Sequence, residues 1–415
     1  MRVIAPLFGA VYRAPIGGSD ISVALWGRTG HGKSELAALA QQHYGAGMDA
    51  RHLPLAWSST GNTLEAVASA AKDAVLVVDE YVPGDSQSDR ARMQGAAERL
   101  IRGVGNASGR GRMRPDGTLR AARPPRCQPI STGEEVPAGQ SLRARMLTAE
   151  VGAEDVRWEK LALCQQAAAS GIYAMATASY IMTPQLDQVR GTYEAERQRL
   201  RAAAQGGQHR RTADAVAQIA AAWTIWLRHA VEIGAVGADE AIRIRDEVWE
   251  ALLDLAAAQE ELQRATDPVE RYRELILAVL SAGRAHLADA VTGGQPKQCP
   301  ERWGWQRDEF SWRPRGECIG WIADGDAVYL EPTSSYAAAS RFGNIGVSAE
   351  TLGARMNDRG LIVVTREGRR RHLRHRIQRV VQGVRRRVLH VRTSEWLYPS
   401  DAGASGAFGP EGENA

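Results

Sequence analysis

The eight residues Gly27-Arg28-Thr29-Gly30-His31-Gly32-Lys33-Ser34 carry the pattern G-x-x-x-x-G-K-[ST]. Their chemistry is the cradling of a polyphosphate. Glycines let backbone N–H groups wrap closely round the anion, an ammonium reaches its outer charges, and a hydroxyl holds Mg²⁺. Only four lysines occur in the chain, Lys33, Lys72, Lys160 and Lys297, and arginine supplies nearly all the positive charge. A lysine at this place is therefore a chemical choice, because a compact ammonium fits between phosphates where a planar guanidinium fork does not.

A glycine loop alone can meet that pattern by accident, but a second stretch completes the set. Val75-Leu76-Val77-Val78 is a run suited to a parallel strand buried on both faces, and Asp79-Glu80 stand where it emerges. Asp79 is expected to hold the Mg²⁺ shell, and Glu80 to polarise water for in-line attack on a γ-phosphate. Cys127 to Thr132 reads as another strand, ending in Ser131-Thr132-Gly133-Glu134, where a hydroxyl could bond the water or the γ-phosphate. Arg143 and Arg145, in Leu142 to Met146, precede a strand-like Leu147 to Val151. Either could neutralise transition-state charge on a neighbouring subunit's nucleotide, or serve only as a surface ion-pair residue.

These side chains need an α/β frame. The apolar run Ile21 to Trp26 feeds the glycine loop as a strand, and Ser34 to Tyr44 follows at helical spacing and stops at Gly45. His52 to Trp57 reads as a short strand, Asn62 to Lys72 as a helix with Asn62 as its cap, and Ser88 to Val104 as another helix. Between Arg110 and Arg120, Pro115-Asp116-Gly117 is turn chemistry, so Arg112, Arg114 and Arg120 lie on the arms of a basic hairpin suited to contacting nucleic acid.

Taken together, Gly27 to Ser34, Asn62 to Ala66, Leu76 to Glu80, the Gly/Arg stretch from Gly109 to Arg120, Ser131 to Glu134 and Leu142 to Met146 resemble the helicase-like P-loop ATPases of phages, plasmids and integrative elements. That family is catalogued largely as a domain of unknown function and is related to the AAA+/superfamily-3 ring helicases. The resemblance covers Ile21 to Val151 well. It implies ATP contacts along Gly27 to Ser34, above all at Gly32, Lys33 and Ser34, with metal and water roles for Asp79 and Glu80. It also implies a sensor role for Thr132 and an arginine finger at Arg143 or Arg145. His31 departs from the family, where a small residue is commoner; the binding there is expected to come from backbone. The strand lies so near Met1 that a further upstream domain, such as a primase-polymerase, is expected to be separately encoded or lost through start-site choice.

Length and composition fit two or three domains with ordinary globular cores: 415 residues, 44% hydrophobic, 24% charged, net charge +4. Cys127, Cys164, Cys299 and Cys318 form no C-x-x-C pair and read as free thiols of a reducing cytoplasm. Val3 to Tyr12, interrupted by Pro6 and Gly9, reads as a segment buried beside the sheet, and no stretch approaches a membrane span.

From Val156 to about Ala290, helices are expected at Trp158 to Thr183, Leu186 to Ala204, Ala213 to Ile233, Asp239 to Thr266 and Val269 to Ala290. A lid or oligomerisation role suits them. Past a linker at Gly293 to Pro300, Trp303, Trp305, Phe310, Trp312 and Trp321 suggest a small aromatic core. A hairpin (Gly316 to Ala323, Ala327 to Glu331) is followed by helices at Thr333 to Phe342 and Ser348 to Arg359. A second hairpin turns at Gln382-Gly383, in the outline of a winged helix. Between Arg341 and Arg392 stand fourteen arginines against Glu350, Asp358 and Glu367, an excess of eleven positive charges. Such a wing, with Arg385, Arg386 and Arg387 at its centre, suits a phosphate backbone.

The expected fold is an α/β P-loop (AAA+-like) parallel-sheet core over 1–155, a helical domain over 156–292, a basic winged-helix-like domain over 300–397 and a disordered tail over 398–415. The expected function is a DNA-dependent ATPase, a helicase of a mobile element acting on single-stranded or forked DNA. It would use ATP and Mg²⁺ in a homo-oligomer such as a hexameric ring, alongside a separate primase. Its rivals are an ATP-switched initiator or regulator that does not unwind, and a non-enzymatic DNA-binding scaffold.

Overall fold

A computed structural model describes the chain except residues 85, 112, 120, 183–185, 205–209, 266, 325, 365–374 and 394–415. It divides into two compact units, Met1–Gln263 and Arg264–Ala415.

The first unit opens with α1 (Ile4–Arg13), β1 (Ser22–Trp26), α2 (Lys33–Gln42), β2 (Leu55–Ala56), α3 (Gly61–Ala70), β3 (Val75–Tyr81) and α4 (Gln87–Gly105). Then come β4 (Gln128–Gly133), α5 (Gln140–Arg143) and β5 (Met146–Glu150). The five strands form one all-parallel sheet in the order β2-β3-β4-β1-β5. Parallel strands need crossovers and so are covered on both faces, which is why Val75 to Val78 and Val23 to Leu25 are buried regardless of alternation. One face carries Leu64, Leu100 and Ile101 from α3 and α4. The other carries Leu7 and Val11 of α1 with Leu36 and Leu39 of α2. Each fully buried leucine stabilises by about 1.5–3 kcal/mol. Thr60, not Asn62, caps α3, its hydroxyl accepting the Thr63 N–H at 3.3 Å.

Five helices follow: α6 (Trp158–Ala169), α7 (Ile172–Ile181), α8 (Leu186–Ala203), α9 (Arg210–Glu232) and α10 (Ala238–Ala265). The single helix expected over Trp158 to Thr183 breaks at Gly171, whose φ of 86° leaves the helical region. These helices share the core of the sheet: α9 packs along α1, where Trp223 Nε1 donates to Ala5 O at 2.8 Å. Gln259 of α10 covers the open edge of β5, accepting from Thr148 N at 3.1 Å and donating to Met146 O at 2.8 Å. An uncovered edge strand would be a pairing hazard.

The second unit contains α11 (Pro268–Ser281), β6 (Ala285–Asp289), β7 (Trp305–Arg307), β8 (Trp312–Pro314), β9 (Glu317–Ala323) and β10 (Ala327–Leu330). After them come α12 (Pro332–Phe342), α13 (Ala349–Asp358), β11 (Ile377–Val381) and β12 (Val384–Arg392). A five-stranded sheet runs β11-β12-β10-β9-β6, and β7-β8 is a separate ribbon. The sequence expectation of one helix from Val269 to Ala290 is corrected here. The helix ends at Ser281, Gly283 turns at φ 63°, and Ala285–Asp289 pair with β9. The apolar face of α11, including Tyr272, Leu275, Ile276 and Val279, belongs to the core of this unit, so the segment does not join the preceding helices. The aromatic cluster is also corrected. Trp303, Trp305 and Trp321 are buried, but Phe310, in the turn between β7 and β8, is 96% exposed. Gln382 and Gly383 both have positive φ, 51° and 75°, as a two-residue turn between twisted strands requires.

Candidate nucleotide site

The site lies at the C-terminal ends of β1, β3 and β4. The loop after Trp26 reverses through Gly27, Gly30 and Gly32, with φ of 144°, 85° and 78°. A side chain at Gly27 would also strike Val151 O, only 2.5 Å from the added Cβ. His31 ties the loop down from the other side, its ring Nδ1 donating to Val151 O at 2.9 Å. That role was not legible in sequence, where His31 stood only as a tolerated departure.

Lys33, 9% exposed, donates to Gly27 O at 2.8 Å and Arg28 O at 2.7 Å, so its ammonium lies inside the loop's curve. Burial lowers its pKa, while the charges of Glu134 and Asp79 oppose the shift. Arg28 and Thr29 line the outer side of the loop, and Thr29 donates its hydroxyl proton to Glu134.

The strand ends bring the remaining groups together. Ser34 Oγ donates to Asp79 Oδ1 at 2.8 Å, and the buried Thr132 hydroxyl donates to the same oxygen. Thr132 Oγ1 also accepts the Glu80 N–H at 3.2 Å. The β3–β4 register shifts between Val78 and Tyr81, and Glu80 at the shift has φ 62°. This bulge re-aims the strand end, so Glu80 lines the cavity, although Asp79 and Glu80 would otherwise point to opposite faces. Gln41 of α2 holds the acidic strand in register, accepting from Val77 N at 2.9 Å and donating to Val75 O at 3.3 Å.

The resulting cavity, about 360 Å³, is lined by Thr29, Gly32, Lys33, Ser34, Glu80, Thr132 and, unanticipated, Trp158. A hydroxyl and a carboxylate sharing one short contact suit Mg²⁺, which takes one or two protein oxygens and completes its shell from phosphates and water. The residues therefore fit a Mg²⁺-bound polyphosphate.

Arg143 and Arg145 are not part of this cavity. They precede β5, whose start pairs with Ser22, whereas the glycine loop follows Trp26, which pairs with Glu150. Four residues of parallel strand, at about 3.3 Å each, separate the two edges. Arg145 donates to Ser141 O at 2.6 Å and Asn106 Oδ1 at 3.0 Å; burial lowers its pKa, as do the nearby Arg211 and Arg102 charges. Burial alone lowers that of Arg143.

Arg112 and Arg120 of the basic hairpin lie outside the described residues. The hairpin itself is present. Met113 bridges Leu119, and Arg114 N donates to Thr118 O at 2.7 Å. Arg114 lines a groove of about 650 Å³ with Arg110, Arg123, Asn62 and Glu65. In the second unit, Arg385, Arg386 and Arg387 of β12 are exposed, and Arg386 faces Arg379 across the ladder. Like charges directly opposite destabilise a sheet. Part of that cost is offset where Arg386 stacks 5.1 Å from the Trp321 ring centroid.

Residues 2–124 match the family model described as "Domain of unknown function (DUF927)". A solved structure described as "SCCmec type IV Cch - active helicase" is similar with a TM-score of 0.58 at 15% identity, over 95% of this chain and 68% of that one. No curated protein matches. At that identity the likeness is one of fold: this chain is a mixed α/β protein with a five-stranded parallel sheet and many helices. Among the described residues, no helix is long and apolar enough to cross a membrane.

Proposed function

We propose that the chain is a DNA-dependent ATPase, a helicase serving a mobile element, with P-loop and Walker-type motifs in an AAA+-like core. The observation that carries this reading is the convergence of Lys33, Ser34, Asp79, Glu80 and Thr132 on one cavity at three strand ends. Lys33 leaves its loop carbonyls to meet the β- and γ-phosphates. Ser34 and Asp79 would hold Mg²⁺, which would supply neutralisation of the charge that builds on the phosphates. Glu80 orients and deprotonates the attacking water, and Thr132 keeps Asp79 and the Glu80 backbone in place.

Arg143 or Arg145, lying at the far edge of the sheet, acts on a neighbouring subunit's nucleotide, which makes the active form a homo-oligomer such as a ring. Arg112, Arg114 and Arg120 grip the strand. In the second unit, α12, α13 and the β11–β12 hairpin form a winged helix, and Arg385 to Arg387 tether duplex or forked DNA. The domains proposed are a core over 1–155, a helical layer from 156 to the end of α10, short of the expected 292, a basic domain over 300–397 and a tail over 398–415. A separate primase is the expected companion in the cytoplasm.

The test is the ATPase rate without DNA, with single strands and with duplex, alongside strand displacement on a forked substrate. DNA-stimulated hydrolysis with displacement supports the reading. Hydrolysis without displacement points to an ATP-switched initiator or regulator, and no hydrolysis under any condition leaves a DNA-binding scaffold.

A further inference from the structure

Trp158 opens α6 immediately after the loop that leaves β5, and its ring lies against the P-loop. A Cβ built on Gly32 would stand 3.2 Å from Trp158 Cη2 and 3.6 Å from Cζ3. The φ of 78° is what favours glycine at this position, and an added Cβ would press on the edge of the ring, which would have to give by a few tenths of an ångström. The indole nevertheless remains 54% exposed, and it lines the same cavity as Lys33, Ser34, Glu80 and Thr132. A large aromatic half-open to solvent beside a phosphate cradle is unusual, because tryptophan contributes most when its faces are covered. The helix that carries it is fixed. Leu161 and Ala168 are buried in the core, and Gln165 Nε2 donates to Glu35 Oε2 of α2 at 2.6 Å.

We infer that Trp158 is a base platform: its exposed face receives the base of the nucleoside triphosphate whose phosphates the P-loop holds. This deepens the proposed function and rests on its nucleotide site. A base has a π-face whatever its edge pattern, so stacking adds affinity for all nucleotides and most for purines, whose face is larger. Discrimination by hydrogen bonding is not the platform's role. The chemistry separates cleanly in two: polar groups of the P-loop take the triphosphate, and the indole takes the base.

The test is calorimetric titration of the full chain with Mg·ATP, Mg·CTP and Mg·tripolyphosphate, the last a ligand without base or sugar. Wild type should bind ATP more tightly than CTP, and both more tightly than tripolyphosphate. Trp158→Ala should weaken ATP binding about tenfold, the change that roughly 1.4 kcal/mol of stacking yields, and leave tripolyphosphate binding unchanged. Trp158→Phe should retain most of the ATP affinity. Unchanged tripolyphosphate binding also reports that Trp158→Ala is folded. If that variant binds ATP like wild type, or loses ATP and tripolyphosphate equally while Trp158→Phe does the same, the platform is overturned and the P-loop assignment stands. If wild type binds neither ligand, or binds both as tightly after Lys33→Ala, the nucleotide site falls and the platform falls with it.

Discussion

The glycine loop of the first unit and the arginine-rich hairpin of the second both place cations where phosphate could come, and they are built on opposite principles. Lys33 is one cation, nearly buried, held by two carbonyls inside a loop whose ends are fixed by β1 and α2. Arg385, Arg386 and Arg387 are three exposed cations on one strand, of which Arg386 stacks on the Trp321 ring. A buried ammonium has its desolvation cost offset only in part by carbonyls and nearby carboxylates, and it is a single group, so one substitution should remove the whole site. An exposed arginine row contributes by counterion release, which is additive and graded. One region should therefore fail in steps of all or nothing, and the other in proportion to charge.

The largest effect is expected at Lys33. Lys33→Ala should abolish measurable nucleotide binding, whereas Glu80→Gln should bind ATP and turn it over at least ~100-fold more slowly, since general-base catalysis contributes about 10²–10⁴. Equilibrium binding and single-turnover hydrolysis check the pair; normal turnover in Glu80→Gln would sink its catalytic role.

Next come the arginines at the far edge of the sheet. Arg145→Ala, or failing it Arg143→Ala, should bind ATP and lose roughly 10³-fold in hydrolysis, the scale of an arginine finger. Mixed with Lys33→Ala protein it should regain part of the rate, because each subunit supplies what its neighbour lacks. Mixtures that never complement, together with normal rates in both single variants, would confine the chemistry to one chain.

The second region gives the graded response. Neutralising Arg385, Arg386 and Arg387 together should weaken DNA binding by roughly one to two orders of magnitude and flatten the slope of log K against log salt by about 2–3, at ~0.7–0.9 per phosphate contact. Basal ATPase should stay as it was. Unchanged affinity and slope would make these arginines a solvated face.

The smallest effect lies in the interior of the first unit. His43, bonded through Nδ1 to Thr177 Oγ1 at 2.8 Å and ringed by Phe8, Tyr12 and Tyr173, has its pKa pushed down by burial from 6.5 to about 4. The folded state thus resists a proton that the unfolded chain accepts. Stability present above pH 6.5 is lost as pH falls toward 4, by about 2 kcal/mol between pH 7 and 5. Denaturant melts at both pH values should show the loss in wild type and a smaller one in His43→Gln.

Local chemistry made part of this molecule readable in advance. Gly27 to Ser34 and Val75 to Glu80 declare themselves because a buried parallel strand is a short apolar run and its C-terminal end is where polar residues resume. Turn residues at Pro115 to Gly117 and Gln382-Gly383 are equally local, since their backbone angles are properties of the residues themselves. The caps were less legible: Thr60 and Asn62 are both competent, and only the geometry of α3 chooses Thr60.

What one residue does to another far along the chain could not be read this way. The sequence by itself determined the strand-loop-helix cradle, the acidic strand and the placing of positive charge in the second unit, because each is a pattern along one continuous stretch of chain. Tertiary structure alone decided that β4 runs between β1 and β3, which brings Thr132 to Asp79 across 53 residues of chain. It also decided that a bulge turns Glu80 into the cavity, that His31 bonds to Val151, and that Trp158 lies against Gly32. The fate of α11 and Phe310 follows the same logic, for an apolar face or an aromatic ring does not specify its partner. Burial is settled by which surfaces meet, and only the folded chain brings those surfaces together.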